Sequence, residues 1–260
     1  MNIGLIGGGN IGKFLLESIN TNKLLTNSKI VGIFTRNPNS AQQLAAEFDT
    51  DIFEDISSLL HSNVDLVIEA ATVDVVKEHA AAILSSGKDI VLSSVGALSD
   101  LDYTQSLEEI CRRNGTKIYL PSGAIGGLDI LKAAKSNGEL ESVSIITRKP
   151  PQALPGAPVD KEKVLFEGTA NEAIKLFPKN INVSIILSLA GLGPEKTRVK
   201  IISDPAITKN SHSIEALGSF GKLTLKVEND PMPNNPKTSY LAALSVLSSL
   251  KNKDAVIQVG

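Results

Sequence analysis

Residues 1–12 read MNIGLIGGGNIG, and this stretch decides the fold. A short apolar run typical of a buried strand leads into Gly7, Gly9 and Gly12, which fall at G-x-G-x-x-G spacing. The first glycine permits a tight turn, the second lets the backbone approach a diphosphate, and the third lets the following helix pack on the strand. The helix N-terminus adds unpaired N–H groups and partial positive charge, which favours a dinucleotide site over an ordinary glycine-rich turn. The residues of this segment expected to contact the cofactor are Gly7, Gly9, Asn10, Ile11 and Gly12.

Strand-like and helix-like segments then alternate as far as residue 121. The predicted strands cover 29–35, 51–53, 64–70, 89–94 and 117–120, and the predicted helices cover 38–48, 55–61, 73–85 and 101–114. This alternation is typical of an α/β fold with a Rossmann-type, doubly wound parallel sheet, so residues 1–121 are predicted to form a dinucleotide-binding domain. Cofactors bind at the carboxyl ends of the strands in such sheets. The further cofactor contacts expected there are Thr35, Arg36, Ala70, Ala71, Ser94 and Val95.

The end of the second predicted strand bears on the choice between NAD and NADP. In dinucleotide-binding folds, an acidic residue at this point accepts hydrogen bonds from the ribose hydroxyls and favours NAD. Thr35 and Arg36 occupy the position here, so no carboxylate repels a 2′-phosphate and the guanidinium could pair with one. We therefore expect NAD or NADP as cofactor and predict that NADP is accepted. The alternative is that Arg36 only stacks on the adenine.

The sequence pattern changes after residue 121. Several later segments alternate apolar and polar residues, which favours a mostly antiparallel sheet, so residues 122–260 are predicted to form an α+β substrate domain. The proline-rich stretch 149–158 is predicted to be a loop, and a last helix over 239–250 is a candidate to pack back on the first domain. The alternating segments are 140–147, 198–202, 212–217 and 222–228.

The composition, 42% apolar and 21% charged, is that of an ordinary globular protein. A net charge of −2 gives no electrostatic reason to expect nucleic acid or an anionic membrane as a partner. The longest apolar run, 183–192, is about half the roughly 20 residues needed to span a bilayer, and no basic leader precedes the first strand. The single cysteine, Cys111, is expected to be a buried structural thiol, and a cytoplasmic location follows. No cluster of metal-ligand residues has a suitable spacing, so no metal is expected.

Basic and amide residues in the second half stand beside rigid prolines, in loops or at the ends of predicted elements. Such positions suit an anionic substrate held against a nicotinamide. Taken alone, each side chain is more simply explained as a solvated surface charge. The residues expected to bind the substrate are Lys149, Lys179, Asn210 and Lys237.

Longer motifs make the whole chain recognisable. VGALSDLD, PSGAIGGLD, TRKPP, LFEGTA, LFPKNINV, LAGLG, TRVKIISDP and NPKTSYLAALS occur in this order. With them the chain resembles the L-aspartate dehydrogenase family throughout. The resemblance implies NAD(P)-dependent oxidative deamination of L-aspartate to iminoaspartate, the reverse reductive amination, and a link to NAD biosynthesis. One departure is Thr35-Arg36, where members of the family often carry Asp-Arg.

The same resemblance assigns roles to individual residues. It makes His212 the catalytic residue and Ala124 a cofactor contact, and it places an asparagine of PKNINV near the nicotinamide. Asn182 is favoured for this last role and Asn180 is the alternative. A base is needed during hydride transfer, and the intrinsic pKa of histidine, about 6.5, suits that task near neutral pH.

Other functions fit the same sequence. One alternative is a reductase or dehydrogenase of another aspartate-derived metabolite, of the homoserine or dihydrodipicolinate type. A second is a non-catalytic dinucleotide-binding sensor. Fold analogy does not separate these, whereas a substrate profile does. We also expect a homodimer, because exposed antiparallel sheets often pair.

Overall fold

The structure is a computed structural model that describes residues 1–154, 156–178, 181–232, 235–253 and 255–257, without the side chains of 235–237. The chain divides into two compact units. The first comprises Met1–Pro121 with Val246–Gln258, and the second comprises Ser122–Ser245.

The first unit is built on a six-stranded sheet in which every neighbouring pair is parallel. Its strands are β1 (Asn2–Ile6), β2 (Lys29–Phe34), β3 (Asp51–Ile52), β4 (Leu66–Glu69), β5 (Asp89–Leu92) and β6 (Ile118–Tyr119). Their spatial order is β3-β2-β1-β4-β5-β6, so the direction of winding reverses between β1 and β4. The predicted doubly wound Rossmann-type sheet is confirmed, and its switch point lies beside the glycine turn.

Local signals fix the helices of the first unit. The helices are α1 (Asn10–Leu16), α2 (Pro38–Phe48), α3 (Ile56–Leu60), α4 (Val73–Ser85) and α5 (Leu101–Asn114), with a π-helical turn after α1 (Glu17–Thr21) and a 3-10 turn before α5 (Val95–Ser99). Side chains of Asn37, Asp55, Thr72 and Asp100 cap α2 to α5 by accepting first-turn N–H groups. The left-handed Gly115 ends α5.

The core of the first unit lies around β1, β2 and β4. Side chains such as Leu5, Ile33 and Ile68 are buried there together with Leu15 and Leu16 of α1. The same cluster contains three residues of the last helix of the chain, which are Val246, Leu247 and Leu250.

Cys111 differs from its prediction. It lies on α5 and is half-buried, because α5 buries only Leu107 and turns most of its other side chains toward solvent. In the part of the chain that the structure describes, no helix combines the length and the apolar character needed to cross a membrane.

The second unit contains a five-stranded mixed sheet. Its strands are β7 (Leu140–Lys149), β8 (Lys163–Thr169), β9 (Arg198–Ser203), β10 (Asn210–Gly218) and β11 (Gly221–Asn229), in the spatial order β11-β10-β7-β9-β8. All neighbouring pairs are antiparallel except β7 and β9, so the prediction of a mostly antiparallel sheet is confirmed. A small antiparallel pair follows, formed by β12 (Pro231–Met232) and β13 (Asn235–Ser239).

The remaining helices are α6 (Leu128–Ser136), α7 (Ala170–Leu176), α8 (Asn182–Ala190) and α9 (Tyr240–Lys253). Helix α7 was not predicted from the periodicity, and a capping box between Thr169 and Glu172 starts it. The predicted loop over 149–158 begins one residue too early, since Lys149 is the last residue of β7. Residues Pro151–Ala153 then form a 3-10 turn.

One face of the second sheet changes from apolar to polar along its strands. Val143 and Ile145 of β7 lie beside Ile214 and Ala216 of β10, and all four are at most 1% exposed. Further along the same face, the alternation of side chains places buried polar residues at the positions that follow. These buried polar residues are Thr147, Lys149, Ser203, Asn210, His212 and Asn229.

Candidate active site

A different physical constraint explains why each of the three motif positions is a glycine. Gly7 has φ +110°, and a Cβ there would lie 2.4 Å from the carbonyl oxygen of Ala70. A Cβ on Gly12 would lie 2.1 Å from the carbonyl oxygen of Gly7. A Cβ on Gly9 would meet nothing within 4 Å, and no side chain caps the start of α1 at this residue. The first and third glycines therefore close the turn, while the second borders open space beside uncapped N–H groups, as a diphosphate requires.

A cleft of about 640 Å³ opens at this turn. Gly7, Gly9, Thr35, Arg36, Ala70 and Ala71 line it, as does Gly8. Asn10, Ile11, Gly12, Ser94 and Val95 are not among its lining residues. For both groups of residues a cofactor contact stays a prediction. Sequence reasoning did not single out the other side chains of the cleft, because they come from α3, α4 and the turns before them. These are Glu54, Asp55, Ile56, Val75, Glu78 and His79, together with Phe34 from β2, while Thr72 continues the expected loop of Ala70 and Ala71.

Arg36 is exposed at the cleft and makes no hydrogen bond or ion pair with any residue that the structure describes. Its guanidinium is therefore available to a ligand. Glu54 and Glu78 line the same cleft and are also exposed. The cleft thus holds a cation that suits a 2′-phosphate, together with carboxylates that oppose one.

Glu69 ends β4 and is 1% exposed. Its carboxylate accepts the N–H of Ala71 at 2.7 Å and, from Ser94, the N–H at 2.9 Å and the hydroxyl at 2.8 Å. Burial raises the pKa of this carboxyl, and the hydrogen bonds from Ser94 and Ala71 partly oppose that effect. Glu69 therefore ties together the turns after β4 and β5. Sequence reasoning did not predict this role of Glu69.

His212 lies inside β10, directly opposite Thr147 of β7, and is 2% exposed. Its Nδ1 is 3.0 Å from the Thr147 hydroxyl, which orients the ring. Among the described residues Nε2 has no hydrogen-bond partner. Burial, followed by the nearby charge of Lys149, lowers the pKa of His212 to about 3. The site therefore shifts the pKa well below the intrinsic value near 6.5, and the ring is neutral at physiological pH.

Lys149 ends β7 on the same face as Thr147 and is 7% exposed. Burial lowers the pKa of its ammonium to about 8, so it is mostly charged at neutral pH. The adjacent Arg148 is held elsewhere, because it binds Glu162 and, at 2.8 Å, Asp204. Of these two neighbouring cations, only Lys149 stands on the face that carries His212.

Three buried oxygen atoms on this face accept no hydrogen bond from any described residue. They are Oγ of Ser203, Oδ1 of Asn210 and Oδ1 of Asn229. An unsatisfied buried polar atom costs roughly 1–3 kcal/mol, so native proteins hold few of them. A cluster on one sheet face therefore indicates a place prepared for a polar ligand.

The structure brings together three predicted residues, Lys149, Asn210 and His212, on neighbouring strands of one sheet face. Asn182 begins α8, and Ala124 is buried with its carbonyl oxygen accepting a hydrogen bond from Asn229. Lys179, Asn180 and the side chain of Lys237 lie outside the described residues.

Sequence reasoning missed Ser203 and Asn229, and it gave Thr147 no role beyond its place in the TRKPP motif. A polar residue continuing an otherwise apolar period-two face was the available signal for each of them. In the described ranges, no group of three or more His, Cys, Asp or Glu side chains is arranged to hold a metal ion.

Comparison with known proteins covers both units. The family described as aspartate dehydrogenase, C-terminal, matches residues 129–253, and the NAD binding domain described for homoserine dehydrogenase matches residues 7–121. The L-aspartate dehydrogenase of Methanosarcina barkeri is 40% identical over 100% of this chain and 99% of its own length. That of Nitrosopumilus maritimus is 40% identical over 96% of this chain and 95% of its own length.

A solved structure agrees with these relatives. The crystal structure of aspartate dehydrogenase from Thermotoga maritima superposes with a TM-score of 0.81 at 30% identity, covering 100% of this chain and 99% of that one. The resemblance inferred from the motifs is confirmed. The chain belongs to the L-aspartate dehydrogenase family.

Proposed function

We propose that the protein catalyses the NAD(P)-dependent oxidative deamination of L-aspartate and the reverse reductive amination. The observation that carries the proposal is the full-length match, at 40% identity, to relatives named L-aspartate dehydrogenase. The sheet face with His212 and Lys149 supports it, because the substrate carries two carboxylates and a nitrogen that must lose protons. The protein is an oxidoreductase, and NAD(P) is its cofactor.

The residues of the first unit fit a dinucleotide, because the open space at Gly9 and the uncapped start of α1 leave room and donors for a diphosphate. Bound NAD(P)+ supplies the acceptor for the hydride that leaves the α-carbon of L-aspartate. Gly7, Ala70 and Ala71 would form the wall of the cleft, and Arg36 would face the adenosine end. For NADP, the guanidinium would pair with the 2′-phosphate, so we propose that the enzyme accepts both cofactors.

His212 is proposed as the base. Its neutral ring can accept a proton from the substrate ammonium at Nε2 when Nδ1–H donates to the Thr147 hydroxyl. Lys149 is proposed to pair with a substrate carboxylate. Because an anion beside a cationic acid favours its protonated form, the dicarboxylate would raise the pKa of both His212 and Lys149. The substrate would thus bring the histidine closer to the working pH of the enzyme.

The proposal also includes the oligomeric state of the protein, its location and its metabolic role. A homodimer is supported by apolar side chains on the open face of the second sheet, where Ile146 and Val164 are 39% and 45% exposed. Light scattering in solution tests it. A cytoplasmic location and a supply of iminoaspartate to NAD biosynthesis complete the proposal.

A substrate profile tests the function. Oxidation of NADH and NADPH is followed with oxaloacetate plus ammonia, and is compared with pyruvate and 2-oxoglutarate under the same conditions. We expect oxaloacetate to be preferred, and L-aspartate to reduce both cofactors in the reverse assay. Turnover of homoserine without turnover of L-aspartate would favour the homoserine-type alternative, which the match of residues 7–121 alone would permit. A hundredfold preference for NADH would contradict the use of NADP.

A further inference from the structure

Asn210 of β10 and Asn229 of β11 stand directly opposite each other in the register of the sheet. Both side chains are buried, at 4% and 3% exposure. The Cβ atoms of directly opposed residues are about 4.5–5.5 Å apart and point to the same face. The two amides therefore share one small region of the polar face.

Each amide uses its nitrogen and leaves its oxygen unused. Nδ2 of Asn229 donates to the carbonyl oxygen of Ala124 at 3.0 Å, and since a carbonyl can only accept, this bond fixes the orientation of the amide. Nδ2 of Asn210 donates to the Ser239 hydroxyl at 3.4 Å. Both Oδ1 atoms are buried and receive no hydrogen bond within the described part of the chain.

Two adjacent acceptors without donors from the described residues suit a ligand group that carries several N–H bonds. A carboxylate is excluded as this group, because it only accepts. We propose that Asn210 and Asn229 bind the nitrogen of the substrate through their Oδ1 atoms: the α-ammonium of L-aspartate in one direction and ammonia in the other. The inference rests on the proposed function and identifies the nitrogen subsite of that reaction.

The neighbours of the pair suit this assignment. His212 is two residues beyond Asn210 on the same strand, so its side chain stands on the same face. Ser211 of β10 pairs with Arg148 of the antiparallel strand β7. One residue further along this register, Asn210 of β10 therefore stands opposite Lys149 of β7. The ammonium would lie beside the base that takes its proton, and a carboxylate of the same substrate would turn toward Lys149.

The test compares two ligands that differ only in the nitrogen. Dissociation constants of L-aspartate and of succinate, a dicarboxylate without an amino group, are measured by calorimetry on wild type, Asn210→Leu and Asn229→Leu. We expect the Kd of L-aspartate to rise at least tenfold in each variant, and the Kd of succinate to change less than threefold. In reductive amination, the KM for ammonium should rise at least tenfold while the KM for oxaloacetate changes less than threefold.

Glu228→Gln is the matched control, because Glu228 is exposed, adjoins Asn229 and points away from the buried face. Its constants should equal those of wild type. Asn210→Asp keeps an acceptor oxygen, and its carboxylate can accept from the Ser239 hydroxyl, so it serves if the leucine variants do not fold and should still bind L-aspartate in preference to succinate. Equal loss of both ligands, or an unchanged KM for ammonium, would overturn the nitrogen subsite while leaving the proposed function intact. A wild type that neither binds nor oxidises L-aspartate would overturn both.

Discussion

Replacing Lys149 with methionine should stabilise the protein and inactivate it. Methionine has a similar length and no charge, so it keeps much of the packing of the lysine stem. Burial lowers the pKa of Lys149 from 10.5 to about 8, which means that at pH 7 the folded protein carries the cost of a buried charge. At about 1.36 kcal/mol for each pKa unit, that cost is about 3 kcal/mol.

The dependence on pH follows from the sign of the shift. Below pH 8 the lysine is charged in both the folded and the unfolded chain, and the full cost is present. Between pH 8 and 10.5 the unfolded chain binds more protons than the folded one, so the wild type gains stability as pH rises. The advantage of Lys149→Met, about 2–3 kcal/mol at pH 7, should therefore shrink toward pH 10.

Urea unfolding at pH 7 and pH 10 measures the stability, and L-aspartate oxidation measures the activity. We expect activity to fall by at least about a hundredfold, because a buried cation for the substrate carboxylate is lost. Lys226→Met is the control, since Lys226 is exposed and pairs at the surface with Glu228, and it should change stability by less than about 0.5 kcal/mol. A variant less stable than wild type at pH 7, or a stability difference that is equal at both pH values, would refute the reasoning.

Three further predictions concern His212 of the second unit and Glu69 of the first. His212→Ala should lower turnover by about a hundredfold or more with cofactor affinity nearly unchanged, and wild-type-like turnover would remove the histidine from the mechanism. In NMR titrations of the enzyme without substrate, the His212 ring should stay neutral from pH 8 down to pH 5, because its pKa is lowered to about 3, and a midpoint near 6.5 would contradict this. Glu69→Gln should cost about 2–3 kcal/mol of stability and weaken cofactor binding, because the new amide opposes the N–H groups of Ala71 or Ser94; unchanged urea unfolding and cofactor affinity would contradict it.

The local sequence was sufficient to predict the first unit. Strand, glycine turn and helix follow one another between Asn2 and Leu16, and caps such as Asn37 and Asp100 and the stop at Gly115 act within a few residues. Physical signals of this kind operate over one turn of chain, so they can be recognised without knowledge of the tertiary structure. The mostly antiparallel second sheet was also predictable, because its strands alternate with period two.

What the sequence by itself determined was therefore the α/β fold class, the glycine turn and the strand that carries His212, whereas Lys149 was predicted to lie in a loop and is the last residue of β7. Only the tertiary structure decided which residues stand opposite each other, because register joins residues far apart in sequence: Asn210 with Asn229, and His212 with Thr147. It also decided the protonation of the site. A pKa depends on desolvation and on nearby charges, and both arise only when the strands pack and bury His212 beside Lys149.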